Sequence, residues 1–213
     1  METLTELASG ANGILIAVNA EKIARADPRL VDIVNRNLGY PDGIGAVMAL
    51  RRAGIRTPRI AGVDLWLGMI HRYGSHRSCF LIGAQPSVIE TTARRLQQQN
   101  PSIRLGFRDG FGGATDFESL VQDLDAHRAE VVFVGMGSPR QELLMDRLYA
   151  RHPAVYVGVG GSFDVFVGRK PRAPRWIQRG GMEWAYQLVR DPTRLRRMPA
   201  HLRFVWLLAS GRT

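Results

Sequence analysis

The chain has 213 residues, of which 45% are hydrophobic, and it contains 23 glycines and a single cysteine, Cys79. This length suits one α/β domain with a full core, and a lone thiol argues against disulfides and against zinc or redox sites built from cysteines. The formal net charge is +10, and residues 169–213 supply +9 of it, from eleven Lys and Arg against two acids. The charge pattern predicts a nearly neutral core, residues 1–168, and a basic appendage, residues 169–213.

The first residues, Met1 to Glu6, are acidic and polar, unlike the basic and then apolar start of a signal peptide. No stretch reaches the roughly 18 uninterrupted apolar residues of a membrane-spanning helix. We therefore expect a cytoplasmic protein.

Short apolar runs bounded by turn residues alternate with amphipathic stretches, which predicts strands and helices in alternation. In the first part of the chain, the predicted elements are a strand at 14–18, a helical stretch from 19 that is interrupted near 28, turns at 40–45, a helix at about 46–53, and a short strand or turn at 59–64 that leads into a helix. The middle part has a strand at 78–83, a helix at 86–99, a strand at 103–107 and a glycine-rich loop at 108–113. A helix at 117–127, a strand at 130–135, a helix to about 151 and a strand at 154–159 follow. Successive strand–helix units predict a Rossmann-like, doubly wound, mainly parallel α/β sheet.

The turn after the strand at 130–135 has the pattern of a well-specified helix start. Ser138 and Gln141 are spaced as a capping box, and Pro139 would occupy the first helical position. A helix N-terminus at the carboxyl end of a parallel strand can bind a phosphate, although an ordinary strand-to-helix turn explains the same pattern.

Polar turn clusters follow several predicted strands or open helices, and in a parallel sheet such positions share the edge where ligands bind. These clusters are residues 19–22, 41–45, 59–64, 135–142 and 158–164. The last cluster has glycines at positions one, three and four, which does not match the dinucleotide fingerprint of positions one, three and six, so we do not expect nicotinamide redox chemistry. A turn that cradles a diphosphate and a purely structural turn both remain open.

Two acidic positions are candidates for chemistry. Asp42, between Pro41 and Gly43, could accept a proton from an attacking hydroxyl, or it could serve as an Asx-turn acceptor or helix cap. Asp123 and Asp125 match a short metal-binding pattern, but they lie in a predicted amphipathic helix whose acids face solvent. We assign no metal and no cofactor.

The basic appendage interleaves arginines with aromatic and aliphatic residues, including Trp176, Trp184 and Trp206. This composition is typical of amphipathic helices at an anionic membrane surface. Two alternatives are an α/β protein that binds nucleic acid through this basic tail, and helices that complete the core or a homo-oligomer interface. Nucleic-acid binding ranks second because it leaves the turn clusters of the neutral core unexplained.

Six ordered motifs carry a resemblance to a known family. They are Asn19-Ala-Glu-Lys22, Pro41-Asp-Gly-Ile-Gly45, Arg59-Ile-Ala-Gly-Val-Asp-Leu65, Gly137-Ser-Pro-Arg-Gln-Glu142, Gly158-Val-Gly-Gly-Ser-Phe-Asp164, and Arg172-Ala-Pro174 followed by Glu183-Trp184. Over about residues 14–195, the chain resembles the WecG/TagA/CpsF family of bacterial glycosyltransferases. The motifs are most similar to the branch that transfers N-acetylmannosaminuronic acid, while other members transfer N-acetylmannosamine or glucose.

The resemblance implies transfer of a sugar, with inversion and without a metal, from a UDP-sugar to a polyprenyl-diphosphate-linked saccharide at the inner face of the cell membrane. It implies that Asp42 is the base and that Asn19, Arg59 and Gln141 contact the donor. Further donor-site candidates in the matching motifs are Asp64, Gly137, Arg140, Glu142, Gly160, Gly161, Phe163, Asp164 and Arg172. Many members have threonine where this chain has Ala17, so a hydroxyl contact at that position is absent here.

Overall fold

The structure is a computed structural model that describes residues 12–112, 116–174, 176–177, 182–190 and 198–210. The described strands are β1 (Gly13–Val18), β2 (Leu38–Pro41), β3 (Cys79–Gly83), β4 (Leu105–Arg108), β5 (Val131–Gly135) and β6 (Val155–Gly158). They form one six-stranded sheet in the order β2-β1-β6-β5-β3-β4, and every neighbouring pair is parallel. The predicted α/β class is confirmed.

Helices connect the strands and follow the last of them. The helices described over their length are α1 (Ala20–Arg25), α2 (Pro28–Arg36), α3 (Ile44–Arg52), α4 (Gly62–Tyr73), α5 (Pro86–Gln99), α6 (Phe117–His127), α7 (Arg140–Arg151), α8 (Ser162–Phe166), α9 (Glu183–Arg190) and α10 (Met198–Ser210). None of these described helices is long and apolar enough to cross a membrane.

The sheet is covered on both faces, as a doubly wound fold requires. The helices α4 and α5 pack on one face with Phe163 of α8, and α2, α6 and α7 pack on the other. Every residue of β3 and β5 is buried, which explains why these strands read as continuous apolar runs in the sequence.

Several predicted boundaries need correction. The turn predicted at 40–45 overlaps the end of β2, a four-residue edge strand that was not predicted and that ends in proline. The helix predicted at about 46–53 begins earlier, at Ile44. The segment predicted as a short strand or turn at 59–64 forms no strand; it is irregular as far as Ala61, and α4 begins at Gly62.

The described C-terminal helix, α10, folds back onto the start of the chain, where it packs against α1. Phe204 fixes this helix in place: its ring is 5% exposed and lies beside Gly45 of α3, which in turn lies against Ala20 of α1. Both contacts lie at the carboxyl edge of the sheet. The predicted division of the chain at residues 168 and 169 stays a prediction.

Candidate active site

Candidate residues follow four strands that are direct neighbours in the sheet. Asn19 follows β1, Asp42 follows β2, Gly137 follows β5 and Gly160 follows β6, and the order of these strands is β2-β1-β6-β5. With strands about 4.8 Å apart, the four loops span roughly 14 Å of one sheet edge. The structure thus brings together residues that are up to 141 positions apart in the sequence.

Asp42 lies just beyond β2, where its backbone N–H donates to Val18 O over 2.8 Å. Its side chain keeps partial exposure, but enough protein surrounds the carboxylate that burial raises its pKa above the ordinary value. The N–H of Gly62 and the positive charges of Arg59 and Lys22 oppose this rise in pKa, while the negative charge of Glu183 adds to it. Asp42 is therefore an acid whose pKa is shifted toward neutrality, as a general base requires.

Arg59 is held beside Asp42 by the backbone, because Ile60 N donates to Pro41 O over 3.0 Å. Its guanidinium pairs with Glu183, the first residue of α9, and both side chains are largely buried. A second ion pair joins Arg172 to Asp64 of α4 over 2.6 Å. The described C-terminal segments therefore reach the candidate site at two points through charged groups.

Asn19 caps α1, and its Oδ1 accepts a hydrogen bond from Lys22 N over 3.0 Å. The Lys22 side chain then turns inward, where Nζ donates to Ala17 O and to Glu142 Oε1, the latter over 2.7 Å. Lys22 is only 9% exposed, and sequence reasoning did not select it although it ends the first motif. A lysine within a polar turn gives no local sign that it will be buried.

Gln141 and Glu142 are both buried at the start of α7. The amide of Gln141 donates from Nε2 to Glu142 Oε1 over 2.8 Å and accepts at Oε1 from Gly160 N over 3.0 Å. The predicted capping box is therefore wrong. Helix α7 begins at Arg140 with Pro139 as its N-cap and without a side-chain cap, because Gln141 bonds across the sheet edge instead.

The close approach of Gln141 to β6 depends on Gly158. A Cβ at residue 158 would lie 2.7 Å from Gln141 Nε2 and 3.1 Å from Met145 Cε. Any side chain there would push the amide away from Gly160 N. Gly158 is therefore required by packing around Gln141.

The remaining candidates divide by exposure. Arg140 is exposed at the first turn of α7, and Gly161 is the N-cap of α8. Asp164 pairs with Lys170 over 3.3 Å. The ring of Phe163 is fully buried and meets Trp66 edge-on with centroids 5.4 Å apart, so Phe163 stabilises the neighbouring glycine turn by packing in the core.

Asp123 and Asp125, the acids that match a short metal-binding pattern, lie in α6 and not in the loops of the candidate site. Asp123 pairs with Arg108, and Asp125 pairs with His152, which precedes β6 at the amino edge of the sheet. Among the residues that the structure describes, no group of three or more His, Cys, Asp or Glu side chains could hold a metal ion.

A Rossmann-like parallel sheet with an acid, an arginine and glycine turns at its carboxyl edge belongs to the α/β class that binds ligands at that edge. The model of the "Glycosyl transferase WecG/TagA/CpsF family" matches residues 1–213, and the chain belongs to this family. The protein is accordingly a glycosyltransferase of cell-surface polysaccharide biosynthesis. The resemblance identified from the six motifs is confirmed at the level of the family.

Proposed function

We propose that the protein transfers a hexosyl unit, with inversion, from a UDP-sugar to a polyprenyl-diphosphate-linked saccharide. The observation that carries the proposal is the juxtaposition of Asp42 and Arg59 beside the loops after β1, β5 and β6. Asp42 can remove a proton and Arg59 can bind a phosphate, and the glycine turns after β6 and β5 lie further along the same edge of the sheet. N-Acetylmannosaminuronic acid, N-acetylmannosamine and glucose are the sugars to test.

In this reaction, an acceptor hydroxyl attacks the anomeric carbon on the face opposite the diphosphate. The new glycosidic C–O bond forms as the bond between the anomeric carbon and the phosphate oxygen breaks, and UDP leaves with that electron pair. Asp42 takes the hydroxyl proton. Burial raises the pKa of Asp42, which makes its carboxylate a stronger base than an exposed aspartate.

The diphosphate gains negative charge as the bond breaks, so the site must supply positive groups. Arg59 is suited to this task because a guanidinium pairs with carboxylates and phosphates in the same forked geometry. It pairs with Glu183 in the structure, and we propose that donor phosphate oxygens take the place of that carboxylate. Further donors are the exposed guanidinium of Arg140 at the start of α7 and backbone N–H groups of the two glycine turns, where Gly137 and Gly160 have φ values of +75° and +55°. The N–H of Gly160 itself is not among them, because it donates to Gln141 Oε1.

We further propose that the protein attaches peripherally to the membrane that holds its acceptor. In α10, Leu202, Val205 and Trp206 share one helical face and are 65%, 62% and 55% exposed, while Phe204 points into the protein. This exposed apolar face lies within residues 169–213, which carry +9 of the net charge. Each basic residue near an anionic leaflet contributes about 1 kcal/mol, so a few would suffice for attachment.

The test of the proposed base is Asp42→Asn, with Asp32→Asn on the exposed surface of α2 as the matched control. We expect Asp42→Asn to reduce turnover by about 10²–10⁴-fold while the affinity for UDP stays near that of the wild type, because a general base contributes on this scale. The control should behave like the wild type. An Asp42→Asn variant that keeps most of its turnover would refute the role of Asp42.

A further inference from the structure

A buried ion pair lies beneath the candidate donor site. Lys22 Nζ and Glu142 Oε1 are 2.7 Å apart, and the two side chains are 8% and 0% exposed. Lys22 Nζ also donates to Ala17 O in β1. Because Lys22 belongs to α1 and Glu142 to α7, the pair joins elements that are 120 residues apart in the sequence.

The pair continues into a chain of hydrogen bonds that reaches a third loop. Glu142 Oε1 accepts from Gln141 Nε2, and Gln141 Oε1 accepts from Gly160 N. At the other end, the backbone of Lys22 is capped by Asn19. The chain of contacts therefore ties together the loops after β1, β5 and β6, which are three adjacent strands.

Burying this ion pair lowers the stability of the folded state. Two charges are removed from water, and Glu142 Oε2 is buried without a hydrogen-bond partner among the described residues. A buried ion pair of this kind is often no more stable than an apolar pair of similar volume, and losing only one partner leaves an uncompensated buried charge. The stability of the core alone does not explain why Lys22 and Glu142 occupy these positions.

We propose that Lys22 and Glu142 are positioning residues of the donor site, which hold the Asn19 turn and the Gly160 turn in register on either side of the sugar nucleotide. The inference rests on the proposed function, because it takes these two loops to be the walls of the donor site. Neither charged group touches the donor. Their effect reaches it through Asn19, Gln141 and Gly160, where a displacement on the order of 1 Å can cost up to 100-fold in rate.

The decisive variant replaces both charges at once, as Lys22→Met/Glu142→Leu. We expect it to fold with a melting temperature no lower than that of the wild type, yet to lose about 10–100-fold in UDP affinity and turnover. Each single substitution should lower the melting temperature, because it leaves one buried charge unpaired. The matched control, Arg151→Met/Glu118→Leu, removes an exposed ion pair from α6 and α7 and should leave UDP affinity and turnover unchanged.

A second measurement does not depend on the folding of any variant. Amide hydrogen exchange in the wild type, with and without UDP, should show slower exchange at the Gly160 turn and at the start of α1 together, because the buried pair couples them. Protection of the Gly160 turn alone would overturn the inference, as would wild-type UDP affinity and turnover in the double variant. A wild-type protein that binds no UDP would instead refute the proposed donor, so the two failures are distinguishable.

Discussion

A single methyl group at residue 135 provides a sharp test of how the site is supported. In Gly135→Ala, the new Cβ would lie 2.7 Å from Cδ2 and Cε2 of Phe163 and 2.9 Å from Gly160 O. Ordinary contact begins at 3.4 Å, so the ring and the turn must retreat by about 0.5–0.7 Å. The ring cannot yield easily because it is fully buried against Trp66, and the displacement therefore falls on the turn at Gly160.

Overpacking of this kind costs about 1–3 kcal/mol, which corresponds to roughly 2–4 °C in melting temperature for each kcal/mol in a domain of this size. We expect Gly135→Ala to lower the melting temperature accordingly and to weaken UDP binding about tenfold or more through the shift of Gly160. Calorimetric unfolding and UDP titration measure the two effects. Gly13→Ala, in β1, is the matched control because its Cβ would meet nothing within 4 Å. If both variants unfold and bind UDP like the wild type, the packing account of the turn is wrong.

The remaining predictions concern Asp42 and the C-terminal helix. Because burial raises the pKa of Asp42, the loss of turnover on the acid side of the pH profile should have its midpoint above about 3.9, the pKa of an ordinary aspartate. The pKa of Asp42 is higher in the folded state than in the unfolded state, so ionisation of Asp42 lowers stability as the pH rises above its unfolded-state pKa. Asp42→Asn should therefore have a higher melting temperature than the wild type at pH 7 and the same melting temperature near pH 3. If the variant is no more stable at pH 7, the direction of the pKa shift is wrong. Phe204→Ala should cost up to about 3–5 kcal/mol of stability, or else release α10 to proteolysis, and a variant with neither effect would contradict its docking onto α1. Trp206→Ala should leave the fold intact but reduce flotation with anionic liposomes several-fold, whereas unchanged flotation would contradict membrane contact through α10.

The sequence predicted the sheet well where the strands are buried on both faces. The runs that became β3 and β5 are apolar throughout and bounded by turn residues, so local pattern and final burial agree. The edge strand β2 lacks this signal. It contains Gly39 and ends at Pro41, residues that indicate a turn, and only its pairing with β1 makes it a strand.

The turns that bear the candidate residues could also be predicted, because strand ends in a parallel sheet share one edge. Their internal contacts could not. Gln141 has the spacing of a capping residue relative to Ser138, but its partner is Gly160 N, which a neighbouring strand brings into reach. Likewise, the burial of Lys22 depends on Glu142, and no local pattern specifies a contact between residues so distant in the sequence.

The most direct test of the central claim is a donor screen on the purified protein. UDP release is measured from UDP-glucose, UDP-N-acetylmannosamine and UDP-N-acetylmannosaminuronic acid, each with and without a short polyprenyl-diphosphate saccharide in detergent. The account predicts release that depends on the acceptor with one of these donors and is lost in Asp42→Asn. The absence of release with all three, together with no measurable binding of UDP, would contradict it.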